Sequence, residues 1–495
     1  MGVLSEVEPK QVFRFFEEIT KIPHGSGNVG KISDYLVEFA RKRGLQYIQD
    51  ELKNVILVKE AAQGYEEDPP VILQGHMDMV AVKKPDCNID LAREGLQVAI
   101  RGDSVYAEGT SLGGDDGIAV AYALALLDSD TISHPKLEVI LTVDEEVGMD
   151  GAREIDLSIL TGNRMINLDS EEEGIFLSSC AGGARVHCLL PLKTGELEGI
   201  AVKVRVEGLL GGHSGGEIHK ERGNANCLLG RLLQRLTEQI PAGICALDGG
   251  LADNAIPRQA EAVLVIGEKE QEKLREILKE LEIEIQGELA VKDPGFAIKI
   301  EEIGQGRFGC VTVEDTQKAA AFLCALPNGV QAMSADMPGL VETSLNLGIL
   351  KLERDGQKMD LIRQETEGCE MAAEFSVRSS VESAKRALIG RLRAVTALAG
   401  GVNTVTGDYP GWKYRKDSPL REKMVRLYRE MYGKEPKVEA IHAGLECGIL
   451  GSKIPDLDCV SIGPDMADIH TTEETLSISS TGRVWEFLVR FLEEH

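Results

Sequence analysis

The segment VILQGHMDMV, residues 71–80, joins an apolar run to two ionisable side chains. Val71, Ile72 and Leu73 at its start are typical of a strand whose two faces are both buried in a sheet. Just past the predicted strand the chain supplies His76 and Asp78, although an imidazole and a carboxylate are costly to bury. Ligands bind at the carboxyl ends of strands in open α/β sheets. The segment therefore predicts both a core strand and the edge of a site.

Short apolar runs separated by helical patterns surround this segment. Residues 28–44 place apolar side chains on one helical face and end at Gly44, a plausible helix terminus. Residues 117–130 form a helix of small side chains that could lie close to a sheet, and further apolar runs occupy 137–143 and 164–168. Strands with two apolar faces, alternating with helices, predict an α/β layer with a largely parallel sheet.

The middle of the chain has a different pattern. From about residue 185 the strand-like segments alternate polar and apolar residues, as in 201–208 and 341–354, and a charged helix covers 270–284. This pattern indicates an α+β region with antiparallel strands. After about residue 408 the α/β pattern returns. We therefore predict a discontinuous α/β domain made of residues 1–184 and 409–495, with residues 185–408 inserted as a second domain.

Composition limits the possible functions. The chain has 495 residues, which is enough for two or three domains, and a formal net charge of −27. Such a charge argues against nucleic acid or an anionic membrane as partner, because both require a basic surface. The ten cysteines are scattered without a CxxC pair, as in reduced proteins of the cytoplasm. Since the sequence has neither a signal peptide nor a membrane-length apolar stretch, we expect a cytoplasmic protein.

Other acidic and imidazole side chains also follow predicted strands or a tight turn. If these strands share one sheet, the side chains converge on one edge with His76 and Asp78. They are Asp115 and Asp116 in a glycine-rich turn, Asp144, Glu145 and Glu146 after 137–143, Asp169 after 164–168, and His470 beyond the last predicted strand.

So many carboxylates in one partly dry site must either protonate or bind cations. Imidazoles combined with carboxylates suit zinc-like ions. Two divalent ions would balance three ligand carboxylates and a bridging hydroxide, which leaves one further carboxylate free as a base. Each motif alone has an ordinary explanation: His-x-Asp as a surface turn, Glu-Glu as a helix start and Asp-Asp-Gly as a plain turn. Their ordered combination favours a metal site.

These motifs also resemble a known family. The sequence is similar to the M20 dizinc metallopeptidases, and to their aminoacyl-histidine dipeptidase (Xaa-His dipeptidase, peptidase D) branch, in five ordered segments: GHMD (75–78), GGDDG (113–117), DEEVG (144–148), NLDSEEEG (167–174) and ADIHTTEE (467–474). Three further segments resemble that branch: 211–226, 253–258 and 442–448. The resemblance runs from near the N-terminus to the C-terminal helix.

The resemblance implies two divalent metal ions per chain, with Zn²⁺ as the default and Co²⁺ or Mn²⁺ as substitutes. It implies that His76 and Asp169 bind one ion, Glu146 and His470 the other, and Asp115 both. Asp78 would orient the imidazole of His76 from behind. Glu145 would act as the general base, and the peptide bond after Asp115 would be cis.

The resemblance makes the inserted domain a lid and dimerisation domain. His213 would stabilise the oxyanion from its own subunit or from the partner's, assisted by Asn254. Arg378 would clamp the free carboxylate of the substrate, and Gly444 would allow the substrate backbone to approach closely. Without the resemblance, His213 is simply a histidine in a glycine-rich loop and Arg378 a surface ion pair. A homodimer is implied.

We therefore predict a cytoplasmic, metal-dependent dipeptidase acting on small unblocked peptides of the Xaa-His type, including β-alanyl-histidine. Another M20 activity, as a tripeptide aminopeptidase or an N-acyl amino acid deacylase, is an alternative, because all of these share the metal motifs. A metal-binding scaffold without turnover is a further alternative, against which the complete ligand set and Glu145 argue. Neither a nucleic acid nor a membrane is expected as a partner.

Overall fold

The computed structural model describes residues 2–362 and 368–494. The chain divides into two compact units. The first, here called the α/β unit, comprises Met1–Cys180, Trp412–Ala440 and Leu445–His495. The second, here called the inserted unit, comprises Ala181–Gly411 and Ile441–Gly444. Within the described residues, no helix has both the length and the apolar character that a bilayer span requires.

The helices and strands of the described residues are numbered here in chain order. The helices are α1 (Lys10–Thr20), α2 (Gly30–Arg43), α3 (Gly114–Asp128), α4 (Asp150–Glu154), α5 (Ala225–Thr237), α6 (Gln271–Leu289), α7 (Val313–Ala325), α8 (Glu382–Leu398), α9 (Pro419–Tyr432), α10 (Glu446–Lys453) and α11 (Ile478–Glu493). The strands are β1 (Gln46–Gln49), β2 (Val55–Lys59), β3 (Val71–His76), β4 (Val98–Arg101), β5 (Ser104–Ala107), β6 (Leu137–Thr142), β7 (Arg164–Asn167), β8 (Ile175–Cys180), β9 (Gly182–Leu192), β10 (Thr194–Glu207), β11 (Gly212–His213), β12 (Ala242–Gly249), β13 (Ala255–Ile256), β14 (Ala260–Ile266), β15 (Ala297–Val311), β16 (Gly329–Met333), β17 (Val341–Arg354), β18 (Gln357–Lys358), β19 (Cys369–Ser379), β20 (Val402–Tyr409), β21 (Lys437–Ile441), β22 (Asp458–Ser461), β23 (Met466–Ala467) and β24 (Thr475–Ser477).

The α/β unit is built on an eight-stranded sheet in the order β1-β2-β6-β3-β7-β22-β8-β21. Its central strands β6, β3, β7 and β22 are parallel, whereas β1 pairs antiparallel with β2, β2 with β6, and β8 with β22. Every residue of β3 and β6 is buried, as their apolar sequences predict. The strand β3 extends to His76, so this histidine ends the strand rather than following it. The parallel strands place their carboxyl ends on one edge of the sheet.

A close contact between β3 and α3 brings two candidate site segments together. A Cβ atom on Gly75 would lie 2.5 Å from Cβ of Ala119 and 2.5 Å from Oδ2 of Asp116. Only glycine at position 75 therefore lets the small-residue helix lie this near the strand. The contact sets the start of α3, with its two aspartates, beside the end of β3.

At the C-terminal end of α2, Gly44 adopts the left-handed conformation (φ 67°) and ends the helix as predicted.

The inserted unit is an α+β structure. Its large sheet has the order β15-β10-β14-β12-β17-β19-β9-β20, with β16 and β18 added to β17, and its pairs are antiparallel. Helices α5, α6, α7 and α8 contribute buried residues to the core of this unit. A separate two-stranded ribbon pairs β11 with β13, so that His213 lies opposite Ala255.

The predicted fold class, an α/β domain with a largely parallel central sheet plus an inserted α+β domain, is confirmed. The units divide at 180/181 and 411/412, whereas the sequence patterns placed the divisions at 184/185 and 408/409. Residues 441–444 also group with the inserted unit. The backbone explains this difference, because Ala181 N–H donates to the carbonyl oxygens of Ile441 and Ala443, at 3.2 and 3.0 Å.

Candidate metal centre

Asp115 lies between two imidazoles at the start of α3. Its Oδ1 is 3.1 Å from Nε2 of His76, and its Oδ2 is 3.1 Å from Nε2 of His470. The backbone at Asp115 and Asp116 departs from helical geometry, and the peptide bond between them is cis, as the resemblance implied. A carboxylate whose two oxygens face different imidazoles has the arrangement of a ligand that bridges two ions.

The first group of candidate ligands surrounds His76 at the end of β3. Nε2 of His76 is 3.6 Å from Oδ1 of Asp169, in addition to its contact with Asp115. The other ring nitrogen, Nδ1, is 2.9 Å from the carbonyl oxygen of Asp78 and 3.4 Å from Oδ1 of that residue. The backbone carbonyl of Asp78 is therefore nearer to the ring than its carboxylate, which had been expected to orient the imidazole.

The carboxylate of Asp78 also holds the neighbouring acidic loop. It accepts hydrogen bonds from the backbone N–H groups of Glu145 (3.1 Å) and Glu146 (3.4 Å) and from Oγ of Ser26 (2.8 Å). Burial alone would raise the pKa of Asp78, but His76 and these donors lower it. Asp78 is thus a buried anion that joins the end of β3 to the loop after β6.

The second group contains His470 and Glu146. Oε1 of Glu146 is 2.9 Å from Nε2 of His470. This contact is an ion pair, and its geometry leaves the buried Oε1 atom without a well-directed hydrogen bond. His470 is more exposed than the other candidate ligands and has a positive φ of 61°, uncommon for a residue other than glycine. Its loop conformation directs the imidazole towards the acidic edge of the sheet.

Glu145 lies beside both groups. One ligand atom each of His76, Glu145 and Glu146 falls within 4.8 Å of the others. Burial raises the pKa of Glu145 well above its ordinary value, and Asp169, Glu446 and Glu146 add to this effect, whereas His76 opposes it. A carboxyl group with a raised pKa, close to candidate metal ligands, is suited to accept and return a proton.

The remaining charges show how the cluster is balanced without ions. The nearby carboxylates of Asp115 and Glu146 raise the pKa of His470 to about 10. Burial raises the pKa of Asp169 to about 6, against the lowering effect of His76. The carboxylates thus retain protons on the imidazoles, and divalent cations would replace these protons.

The donor atoms fit such cations. Three overlapping groups have ligand atoms within 4.8 Å of one another: His76, Asp116 and Asp169; His76, Glu145 and Glu146; Asp115, Glu146 and His470. Nitrogen and carboxylate oxygen donors in sets of three suit zinc and similar ions with an open position. The buried Oε1 of Glu146, which accepts no hydrogen bond, is an additional sign, because buried carboxylate oxygens normally accept one.

The candidate residues of the inserted unit form a cluster of their own. A Cβ on Gly215 would lie 3.0 Å from Cε1 of His213, 3.3 Å from Nε of Arg378 and 2.7 Å from the carbonyl oxygen of His442. Glycine at position 215 therefore lets these groups converge. The ribbon of β11 and β13 brings Asn254 close to this cluster. The backbone carbonyl oxygen of Asn254 accepts a hydrogen bond from Ser214 N–H at 2.8 Å.

The hydrogen bonds of this cluster define what it can donate. Gly216 N–H donates to Nδ1 of His213 at 3.1 Å, which leaves the proton of a neutral ring on Nε2. Burial, followed by the charge of Arg378, lowers the pKa of His213. Arg378 donates to the hydroxyl of Tyr409 at 3.3 Å, while its buried Nε has no partner. Gly444 lies in the adjoining segment, residues 441–444.

Glu474 is a site residue that the sequence interpretation missed. It is 3% exposed, and its carboxylate accepts hydrogen bonds from backbone N–H groups where the chain enters α3, at 2.7–3.4 Å: Leu112, Gly113, Gly114 and Asp115. The same segment supplies His470. Glu474 therefore fixes the position of Asp115 relative to His470. Its spacing of four residues after His470, within the quoted ADIHTTEE segment, was the available signal.

The fold and this site together define a class of protein, the metal-dependent peptidases with a catalytic α/β domain and an inserted second domain. The sequence model of peptidase family M20/M25/M40 matches residues 72–494, and the chain belongs to this family. The match includes every residue of the two candidate ligand groups.

Particular relatives cover the whole chain. The cytosol non-specific dipeptidase of Escherichia coli is 34% identical over 499 residues, which are 100% of this chain and 99% of that protein. The crystal structure of aminoacylhistidine dipeptidase from Vibrio alginolyticus superposes with a TM-score of 0.90 at 34% identity, covering 99% of this chain and 98% of that one. The aminopeptidase PepT of Bacillus cereus shares the fold, with a TM-score of 0.59 at 16% identity over 98% of each chain.

Proposed function

We propose that the protein is a two-metal dipeptidase that hydrolyses small unblocked dipeptides, including the Xaa-His type. The observation that carries the two-metal assignment is the position of Asp115, whose oxygens each lie 3.1 Å from a different imidazole. Support for the dipeptidase assignment comes from the two relatives at 34% identity, one named a cytosol non-specific dipeptidase and the other an aminoacylhistidine dipeptidase.

In this proposal His76 and Asp169 hold one ion, Glu146 and His470 the other, and Asp115 both. When bound, the two ions would polarise the scissile carbonyl and lower the pKa of the attacking water. Zn²⁺ is the ion proposed, with Co²⁺ or Mn²⁺ as substitutes, because the donors are imidazole nitrogens and carboxylate oxygens.

The protein side chains carry the proton transfers. Glu145 takes a proton from the attacking water and returns it to the amine that leaves. Asp78 holds Glu145 and Glu146 in place through their backbone N–H groups. The Nε2–H group of His213 is proposed to donate to the oxyanion, with Asn254 assisting. Gly444 is proposed to allow close approach of the substrate backbone. Cytoplasmic location and a homodimer are part of the same proposal.

A substrate panel tests this function. The purified protein, loaded with Zn²⁺, Co²⁺ or Mn²⁺, is assayed with β-alanyl-histidine, other dipeptides, tripeptides and N-acetyl amino acids. We expect hydrolysis of the dipeptides, its loss after chelation and its return when the metal is added back. Faster cleavage of tripeptides or of acetylated amino acids would instead identify a tripeptide aminopeptidase or a deacylase. No chelator-sensitive hydrolysis of any substrate would indicate a scaffold.

Arg378→Lys is expected to reduce recognition of the substrate carboxylate. Lysine keeps the positive charge but lacks the planar fork that binds a carboxylate through two parallel hydrogen bonds. We expect KM for β-alanyl-histidine to rise by about 10- to 100-fold, the equivalent of a lost charge-assisted hydrogen bond, with a smaller change in kcat.

Comparison with the C-terminal amide of the same dipeptide isolates this effect. If Arg378 binds the carboxylate, the preference of the wild-type protein for the acid over the amide shrinks in the variant. Arg391→Lys, on the exposed surface of α8, is the control and should leave both KM values unchanged. An unaltered acid-to-amide preference in Arg378→Lys would refute the proposed role.

A further inference from the structure

A buried hydrogen-bond network lies beneath the candidate metal centre. Glu446, the first residue of α10, is completely buried, and its Oε2 accepts hydrogen bonds from Nε2 of Gln74 and from Oγ1 of Thr142, both at 2.6 Å. Oε1 of Gln74 in turn accepts from Nδ2 of Asn167 at 2.6 Å. All four side chains are at most 1% exposed. One carboxyl group thereby connects the ends of β3, β6 and β7.

Each strand residue in this network stands just before a candidate site residue. Gln74 precedes His76 by two residues, and Asn167 precedes Asp169 by two. Thr142 lies directly opposite His76 in the parallel pair of β3 and β6, and Gln74 lies opposite Asn167 in the pair of β3 and β7. The network therefore lies across the carboxyl ends of the strands that present the ligands.

A completely buried carboxyl group is costly, and general stabilisation explains the presence of Glu446 poorly. Replacing buried polar networks with well-packed apolar side chains is often neutral or stabilising, so they are weak contributors to stability. Their established use is to fix one arrangement of the groups that they connect. The outer partners that orient metal ligands have a measurable effect, since their loss typically lowers metal affinity by about 10- to 100-fold.

We propose that Glu446 is a positioning residue that holds the ends of β3, β6 and β7 at the separation required by the two-metal site. Its two short hydrogen bonds, and the third through Gln74, join strands whose next residues include His76, Glu145 and Asp169. Glu446 acts through these strands and does not itself bind an ion. This inference rests on the proposed metal centre.

Metal affinity of the apoprotein tests the inference directly. The full-length protein is stripped of metal and titrated with Zn²⁺ in competition with a chromophoric chelator, and folding is followed by circular dichroism. We expect Glu446→Ala to weaken Zn²⁺ binding by about 10- to 100-fold. Glu446→Gln should remain close to the wild-type affinity, because its carbonyl oxygen can accept both hydrogen bonds that Oε2 now accepts.

Glu138→Ala provides the matched control. Glu138 is also completely buried and lies on β6, but near the opposite end of this strand, where it accepts hydrogen bonds from Thr161 and Gly162. This variant should lose thermal stability without a change in Zn²⁺ affinity. If Glu446 has a merely structural role, Glu446→Ala will behave like Glu138→Ala, with a lower melting temperature and unchanged Zn²⁺ affinity. This result would overturn the inference.

The remaining outcomes are also decisive. If Glu446→Ala does not fold, Thr142→Val removes one donor at nearly constant volume, and wild-type Zn²⁺ affinity in this variant would refute the network's role. A weakened affinity would support it. If the wild-type protein itself binds fewer than two ions, the proposed two-metal function fails together with this inference. Wild-type binding of two ions with unaltered binding in folded Glu446→Ala overturns the inference alone.

Discussion

Glu145→Gln is expected to lower kcat by about 10²- to 10⁴-fold, the usual contribution of a general base, while the protein still binds two ions. Glutamine preserves the size of the side chain but cannot take a proton from water at neutral pH. Glu145 is near His76 and Glu146, and burial raises its pKa well above the ordinary value. Kinetics on β-alanyl-histidine, combined with metal analysis of the same samples, measure both parts of this prediction.

Asp144→Asn is the control for the loop after β6. Asp144 accepts a hydrogen bond from the backbone N–H of Gly27 at 2.6 Å, and an asparagine oxygen can still accept it. We expect this variant to keep nearly the wild-type kcat. Retention of most of the activity in Glu145→Gln would exclude Glu145 as the base and leave the metal ligands untouched.

Asp115→Asn is expected to abolish binding of two ions under conditions that load the wild-type protein fully. An asparagine side chain has one oxygen, so it cannot face both His76 and His470 with an anionic ligand atom. Activity should fall by more than the roughly 10- to 100-fold typical of an outer-shell substitution. Metal stoichiometry by plasma mass spectrometry and kcat/KM on the same preparation check this expectation.

Asp128→Asn, at the other end of α3, is the matched substitution. Asp128 forms ion pairs with Arg14 and Arg43, away from the candidate metal centre. Its replacement by asparagine removes one negative charge from α3, as Asp115→Asn does. This variant should bind two ions and retain activity. Two tightly bound ions in Asp115→Asn would show that this aspartate does not bridge them, whatever happens to the rate.

The predicted fold and most of the candidate cluster follow from local patterns. The apolar runs of β3 and β6 indicate buried parallel strands, and such strands place their last residues on one edge of the sheet. For this reason the positions of His76, Glu146 and Asp169 could be inferred together from residues that are distant in the chain. Their roles as ligands stay predictions until metal binding is measured.

Other features could not be inferred in this way. The sequence predicted that Asp116 converges with His76, but not that Asp116, rather than Asp115, shares a group of candidate ligand atoms with His76 and Asp169. The carboxylate of Asp78 holds the Glu145 loop more closely than it holds the His76 ring. These outcomes depend on side-chain directions at a turn, and spacing in the sequence does not encode such directions.

The sequence by itself determined which strands are buried, where they end to within one residue, and which acidic and imidazole side chains stand near those ends. The tertiary structure alone decided how these side chains are held. Glu474 reaches the first residue of α3 from about 360 residues away, and Glu446 accepts a hydrogen bond from Thr142 across 304 residues. Buried carboxylates of this kind have no periodic signature, because their partners are chosen by three-dimensional packing and by the requirement that buried polar atoms find hydrogen bonds.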